Sequence, residues 1–263
     1  MSTAESQHAI SLSSVYDELK RTNEAFKNYL LIKHLSQKTI KKYQSIKTKF
    51  GNNLAQCLNI GLLKPGEPLP RIADPECYEK YPDYILPTIK EYFKIKEDLQ
   101  STMTYLTDNS LKIENIKPIE YSYTTIFTAQ CIIRRNIKSF PFPCSLSLKE
   151  RLHLEEILSA SLLKLENELS GTYISLKDLN EKNRKKLAAM KVKVPVINET
   201  MTQLGLKRDW PQGRGIFFNR SACVVVYIGF EDHIELISRI DIETKGQVGI
   251  DRIHRVYEKA VEV

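Results

Sequence analysis

From Ser13 to Phe93 apolar side chains recur every three to four positions, the period of helices that bury one face. Val15, Leu19, Phe26 and Leu30 follow the polar pair Ser13-Ser14 and predict a first helix. Ser36 predicts the cap of a second helix carrying Ile40, Tyr43 and Ile46, since its hydroxyl can accept from the orphan amides of a first turn. Leu54 and Leu58 mark a short third helix expected to stop at Gly61. Pro65, Gly66, Pro68, Pro70 and Pro75 make Leu63 to Pro75 a loop. Helix resumes from Tyr78 to Phe93, with Pro82 and Pro87 limiting its turns.

Lys94 to Pro118 is a lysine-rich polar connection, and beyond it the pattern changes. Tyr123 to Ile133 is rich in Thr, Ile, Phe and Tyr and predicts a strand. Ser147-Leu148-Lys149-Glu150 is a capping box that opens a long helix. Leu148, Leu152, Leu158, Leu162, Leu165 and Leu169 are expected to form its apolar stripe, ended by Gly171. Ala222 to Gly229 predicts a buried strand, His233 to Ile240 a second, and Asp251 to Val261 a closing helix. The expected organisation is a polar tail over 1–11, an all-helical domain over 12–93, a linker over 94–118 and a second domain over 119–263, hence an α+β chain.

The chain has 263 residues, enough for two ordinary domains, and a formal charge of +7. That excess favours acidic partners, but no arginine-rich arm or compact basic cluster points to nucleic acid. Cys57, Cys77, Cys131, Cys144 and Cys223 are scattered, with no C-x-x-C pair, so neither a metal site nor a disulfide framework is expected. Met1 to Ile10 lacks an apolar signal core and no apolar run reaches membrane-spanning length, which predicts a soluble intracellular protein. Neither G-x-x-x-x-G-K-[ST] nor G-x-G-x-x-G occurs, which removes those two nucleotide-binding devices.

One stretch carries more than periodicity. Lys207-Arg208-Asp209-Trp210-Pro211-Gln212-Gly213-Arg214-Gly215-Ile216-Phe217-Phe218-Asn219, followed by Phe230-Glu231-Asp232-His233, resembles the signature of the phosphagen (ATP:guanidino) kinases, the arginine and creatine kinase family. Further blocks match in order. Lys49 to Leu54 and Asn59 to Gly61, then Tyr78 and Leu86 to Ile89, are similar to the family's small helical domain. Phe140-Pro141-Phe142, Glu150-Arg151 and Leu169 to Tyr173 with Leu176 are similar to the start of its catalytic domain. The resemblance implies a small all-α domain followed by a partial antiparallel-sheet and helix catalytic domain.

The resemblance also locates departures. Family kinases hold the ATP phosphates with arginines, because a loose phosphoryl-transfer transition state is stabilised by positioning and charge neutralisation. Gln130 and Ile132 stand at two of those places, Glu235 at a third, and Lys191 replaces a histidine set against the adenine. Arg134 and Arg135 lie close by, but only a slipped strand is expected to bring them into use, and Phe140-Pro141-Phe142 opposes a slip. Glu231 falls where the family has the carboxylate that orients or deprotonates the guanidinium; Glu231-Asp232-His233 also reads as the turn into the next strand. Gly229-Phe230 departs from the family's Asn-Glu, and Gly66 to Ile72 aligns poorly with its guanidino-specificity loop. Arg208, Trp210, Pro211, Gly213, Arg214, Gly215, Asn219, Asp232 and His233 are expected to be architectural.

Losing three charge-assisted contacts at about 1.5–3 kcal/mol each, with the chain ending at Val263 before the family's reactive cysteine and remaining arginines, leads to the expectation of a catalytically inactive member without cofactor. Its expected role is structural, in an assembly whose partner covers an open sheet edge, with a cilium or flagellum as the first place suggested by analogy. The rival expectations are a guanidino kinase completed by a partner chain and a module that senses a nucleotide or guanidino compound.

Overall fold

The computed structural model describes residues 11–22, 29–96 and 127–242, with backbone alone at 127–129, 131 and 240–242. The chain forms two compact units, residues 1–110 and 111–263.

The first unit is helical: α1 Leu12–Thr22, α2 Leu30–Lys33, α3 Gln37–Tyr43, α4 Leu54–Leu58, α5 Ile60–Leu63, α6 Glu76–Lys80 and α7 Pro82–Phe93. Ser36 caps α3 by accepting from the Thr39 amide at 3.0 Å. Asn53 and Gln56 form a reciprocal capping box on α4. Leu19, Leu31, Leu54, Leu58 and Ile85 fill the core. Tyr84 crosses that core to donate to the Leu31 carbonyl at 2.7 Å. Gly61 does not stop a helix as expected; it lies inside α5, where an added Cβ would sit 2.4 Å from Leu31 Cδ2 and 2.7 Å from Leu19 Cδ2. Ile46 lies beyond α3, and Phe26 is outside the described residues.

The second unit is built on a five-stranded sheet, β1 Phe127–Arg135, β2 Gly171–Ser175, β3 Gly215–Asn219, β4 Val224–Ile228 and β5 Ile234–Ile242, in the order β1-β5-β4-β3-β2. Every neighbouring pair is antiparallel. Helix α8, Leu148–Leu162, begins at the capping box: Ser147 Oγ accepts from the Glu150 amide and Glu150 Oε2 from the Ser147 amide. Its buried row is Arg151, Leu154, Glu155, Leu158 and Leu162, the i, i+3, i+4, i+7, i+11 set of a true helical face. The expected leucine stripe is corrected accordingly. Leu148 and Leu152 turn outward, Leu165 and Leu169 lie past the end of α8, and Gly171 opens β2.

Strand β4 is buried at every position because both faces are covered. Val224, Val226 and Ile228 join Leu154, Leu158 and Leu162 of α8. Val225 and Tyr227 join Leu187 of α9, Glu181–Ala189, together with Val192. A last short helix, α10 Glu199–Gln203, leads into the Lys207–Asn219 motif. The α+β architecture, helical unit first and antiparallel sheet second, is the one expected. The helix expected over Asp251 to Val261 and the start of the first strand at Tyr123 lie outside the described residues.

Candidate active site

Three arginines tie the motif to the sheet and to α8. Arg151 and Arg214 are both fully buried. Arg151 donates to the Pro143 carbonyl at 3.1 Å, and Arg208 to the Leu146 carbonyl at 2.5 Å. Arg214 donates to the carbonyls of Leu206, Arg208 and Gln212, with its guanidinium 5.2 Å from the Trp210 ring. Asp209 is the carboxylate among them, 3.7 Å from Arg151 and 3.9 Å from Arg208. Burial, and then the neighbouring Arg151, depress the Arg214 guanidinium to about 10, which leaves it charged near neutrality. Pro211 follows Trp210 through a cis peptide, and Gly213 has φ +66°. Gly215 has no room for a side chain, because a Cβ would meet the Tyr173 ring. Asn219 clamps the β3–β4 turn, donating to the Glu168 carbonyl at 2.9 Å and accepting from the Val224 amide at 3.0 Å.

The second motif is the bend between β4 and β5. Gly229, at φ +73°, lets its amide reach the His233 carbonyl at 3.0 Å. Phe230 is buried against Trp210 and Tyr227, with ring centroids 5.9 and 5.7 Å away, which accounts for an aromatic at this departure from the family pattern. Asp232 accepts from Asn136 Nδ2 at 2.5 Å, and Asn136 Oδ1 accepts from the His233 amide at 3.0 Å. His233 is fully buried; its Nδ1 accepts from the Ile137 amide at 2.8 Å and its Nε2 lies 2.8 Å from the Pro141 carbonyl. That pattern requires the neutral Nε2–H tautomer. Burial lowers the His233 pKa below 6.5, opposed by the hydrogen bond to Pro141.

The depressed His233 pKa has a consequence for stability. The unfolded chain takes up a proton that the folded chain resists, so stability is complete above about 6.5. It declines as pH falls from there through the folded pKa. Urea midpoints read on Trp210 fluorescence, the one tryptophan, should therefore fall between pH 7.5 and 5.5 by more than in His233→Gln. Equal pH profiles for the two proteins would refute this.

Glu231 is exposed on the same bend and, among the described residues, makes no hydrogen bond or ion pair. Asp232 and His233 hold the turn; Glu231 is left for another purpose.

Among the described residues, β1 exposes Gln130, Ile132 and Arg134 on the sheet face that α9 and residues 190–194 cover elsewhere. Gln130, Ile132 and Arg134 alternate along β1 and stand opposite Arg239, Ile237 and Glu235 of β5. Tyr227 of β4 stands opposite Glu235 on the other side. Arg134 thus shares a face with Gln130 and Ile132 with no slip of register, since residues two apart on a strand point the same way. This corrects the expectation that only a slipped strand would bring it into use.

The face is polar at its two ends, with Ile132 and Ile237 paired between them. At one end Arg134 pairs with Glu235, and the charges of Glu231 and Asp232 add to the field that raises its pKa. At the other, a cavity of about 1010 Å³ is lined by Gln130, Lys191, Lys193, Arg220 and Arg239, with Glu168 as its carboxylate. Glu235 and Arg239 are four residues apart, about 13 Å along a strand. The hydroxyl pKa of Tyr227, the register partner of Glu235, is raised by burial and then by Glu235, and lowered by Arg239.

Arg239 carried no signal in the sequence. Its guanidinium donates to the carbonyls of Ala222 at 2.8 Å, Lys191 at 2.7 Å and Met190 at 2.5 Å, fixing the wall of the cavity. Lys191 itself is left-handed, φ +53°. Arg239→Ala should loosen this wall and cost about 2 kcal/mol, with amide exchange accelerating at 189–193. Unchanged exchange there would remove the role assigned to Arg239.

The described cysteines Cys57, Cys77, Cys144 and Cys223 are free thiols. Among the described residues no three His, Cys, Asp or Glu side chains gather as a metal site requires. Nor is any described helix long and apolar enough to cross a membrane.

Comparison with known proteins decides the family. Residues 26–90 match the ATP:guanido phosphotransferase N-terminal domain, and residues 153–261 match the ATP:guanido phosphotransferase C-terminal catalytic domain. The chain belongs to the phosphagen kinase family. It is similar to a taurocyamine kinase of Schistosoma mansoni, 32% identical over 84% of this chain and 30% of that protein. It is also similar to arginine kinase Oct f 2 of Amphioctopus fangsiao, 29% identical over 80% of this chain and 60% of that protein. In three dimensions it resembles the substrate-free duplicated taurocyamine kinase of Schistosoma mansoni, with TM-score 0.71 and 27% identity over 96% of this chain and 35% of the other. A lombricine kinase structure at TM-score 0.70 and 20% identity shares the fold. This phosphagen kinase chain therefore spans less than two thirds of the length of these relatives, from 30% to 60% of the two matched by sequence.

The relatives are named as kinases, which corrects the expectation of an inactive member: the family points to an enzyme. The physical reason lies on the sheet face that β1 exposes. The expectation counted losses at Gln130, Ile132 and Glu235, whereas Lys191, Lys193, Arg220 and Arg239 supply positive charge at the cavity end.

Proposed function

We propose that this chain is the helical domain and the first part of the catalytic domain of an ATP:guanidino phosphotransferase, a kinase that moves a phosphoryl group between ATP and a guanidinium. What supports this is the charge gradient of that face: a cationic cavity at Lys191, Lys193 and Arg220, and a carboxylate group at Glu231, Asp232 and Glu235. A polyanion and a cation that must meet for reaction need such a surface, because transfer of this kind is catalysed by positioning and by charge placed where it develops. In this reading the cavity end takes the phosphates and Glu231 takes the guanidinium, as orienting group or base. This chain spans 60% of the arginine kinase it is similar to, so the reaction is proposed for the intact protein and not for this stretch alone.

A coupled-enzyme assay of the intact protein from cells, with ATP and each of arginine, taurocyamine and glycocyamine, should find turnover with at least one. Calorimetry should find ADP bound by the chain itself. Absence of both would sink the proposal, and ADP binding without turnover would favour a sensing module. The scaffold and ciliary expectations have no counterpart among the relatives, whose names are those of kinases.

A further inference from the structure

The carboxylate end of that sheet face already holds a guanidinium of the chain's own. Arg134 Nε donates to Glu235 Oε2 at 2.5 Å across the β1–β5 ladder, where the two residues are register partners. Glu231 and Asp232 are close enough to add to the field that stabilises its charge. Arg135, at the alternate strand position, turns back to the Arg134 carbonyl at 2.8 Å and contributes no second ligand to the group. We propose that Arg134 is a built-in competitor for the guanidino substrate: its side chain occupies Glu235, the carboxylate that an external guanidinium on Glu231 would also reach, and must swing aside before Glu235 can be shared. This rests on the function proposed above.

Local charge favours a guanidinium competitor over a phosphate ligand at this place. The charges of three carboxylates, Glu235, Glu231 and Asp232, act on one guanidinium here, so an incoming phosphate would meet a field of its own sign. A planar guanidinium on an external substrate would instead take the place of Arg134, donating to the Glu235 carboxylate. The pair is also built to open. The Arg134 side chain is 51% exposed, and exposed ion pairs are weak, of a strength that biases an equilibrium by about two- to fivefold without closing it. An internal competitor of that strength lowers the apparent affinity of the external ligand by the fraction of time it is bound. Glu235 then has a function of its own: the residue that reverses the family's charge at this position gives the site a second carboxylate for the guanidinium, and Arg134 sets how strongly it is used.

The test is calorimetric binding of agmatine, a guanidinium probe, to the full chain as wild type, Arg134→Gln, Arg134→Lys and Arg134→Gln/Glu235→Gln. Arg134→Gln should bind agmatine about fivefold tighter than wild type, Arg134→Lys less so, and the double variant should lose the gain. Thermal melts within a few degrees of wild type would show that the exposed substitutions leave the fold intact. No gain in Arg134→Gln overturns the inference, as does a loss of ADP affinity in that variant, which would make Arg134 a phosphate ligand. ADP binding and turnover are read separately, so an agmatine gain without any phosphoryl transfer would uphold the competitor and fail the proposed reaction alone.

Discussion

Gly213→Ala should destabilise the sheet unit by about 2–5 kcal/mol, the sum of a left-handed backbone strained by about 1–2 kcal/mol and overpacking of about 1–3 kcal/mol. Gly213 has φ +66°, and an added Cβ would lie 2.3 Å from Arg151 Cγ and 2.8 Å from the Arg151 carbonyl carbon and oxygen. Arg151 has nowhere to retreat. Its guanidinium is fully buried, held at the Pro143 and Leu146 carbonyls and beside Asp209. Two of its nitrogens, Nε and NH1, already make no hydrogen bond. Burial, followed by Arg208, lowers its pKa, so any shift that also cost it Asp209 would leave a buried charge uncompensated. Gly51 supplies the comparison, with φ +80° and nothing within 4 Å of an added Cβ. Gly51→Ala should cost only the backbone strain. Urea unfolding followed by Trp210 fluorescence for Gly213→Ala, and by circular dichroism for Gly51→Ala, makes the contrast. Equal midpoint losses would show that Arg151 yields.

The same glycines mark what the sequence could and could not disclose. Caps were legible at Ser36 and at Ser147-Glu150, because the donor, the acceptor and the amide they satisfy lie within four residues. The buried strand β4 and the half-buried strand β5 were legible as runs of apolar and β-branched residues. Gly61 and Gly171 were taken as stops, although each is a glycine because of a distant side chain or backbone pressed against it: Leu31 in one case, Phe218 in the other. A one-dimensional pattern holds no record of such neighbours. The leucine row on α8 failed for a related reason. Residues 151 and 155 are Arg and Glu, and their burial depends on partners elsewhere, Asp209 for one, Tyr173 and Ser175 for the other. The site was half legible. Glu231, Lys191 and Glu235 could be placed by motif, and strand parity alone already put Arg134 beside Gln130 and Ile132. Arg239 could not be found, because the carbonyls it holds lie 17 to 49 residues away in the chain. Counting the family's positions one by one measured how many arginines had gone, but not the charge of the surface that remained.

Glu231→Gln should lower the kcat of the intact protein by roughly 10²–10⁴, the range for a positioned acid–base group, while leaving the unfolding midpoint unchanged. Structure separates Glu231 from its neighbours on this point. Asp232 is bound to Asn136, His233 is locked between Ile137 and Pro141, and Gly229 closes the bend. Gly229, Asp232 and His233 thus spend their polar groups on holding the bend still, Phe230 is buried, and Glu231 presents a free carboxylate to solvent from a fixed base. Rigid support of this kind is what a catalytic carboxylate requires, since a small displacement from the reacting atom costs much of its effect. The glutamine is nearly isosteric, so it removes the negative charge and the proton acceptor while preserving shape. Asp232→Asn makes the informative partner: it weakens a turn contact and should lower stability by about 1 kcal/mol with little change in kcat. Should Glu231→Gln keep kcat within threefold of wild type, the carboxylate that faces the guanidinium must be another, and Glu235, paired with Arg134 on the same face, is the one to substitute next.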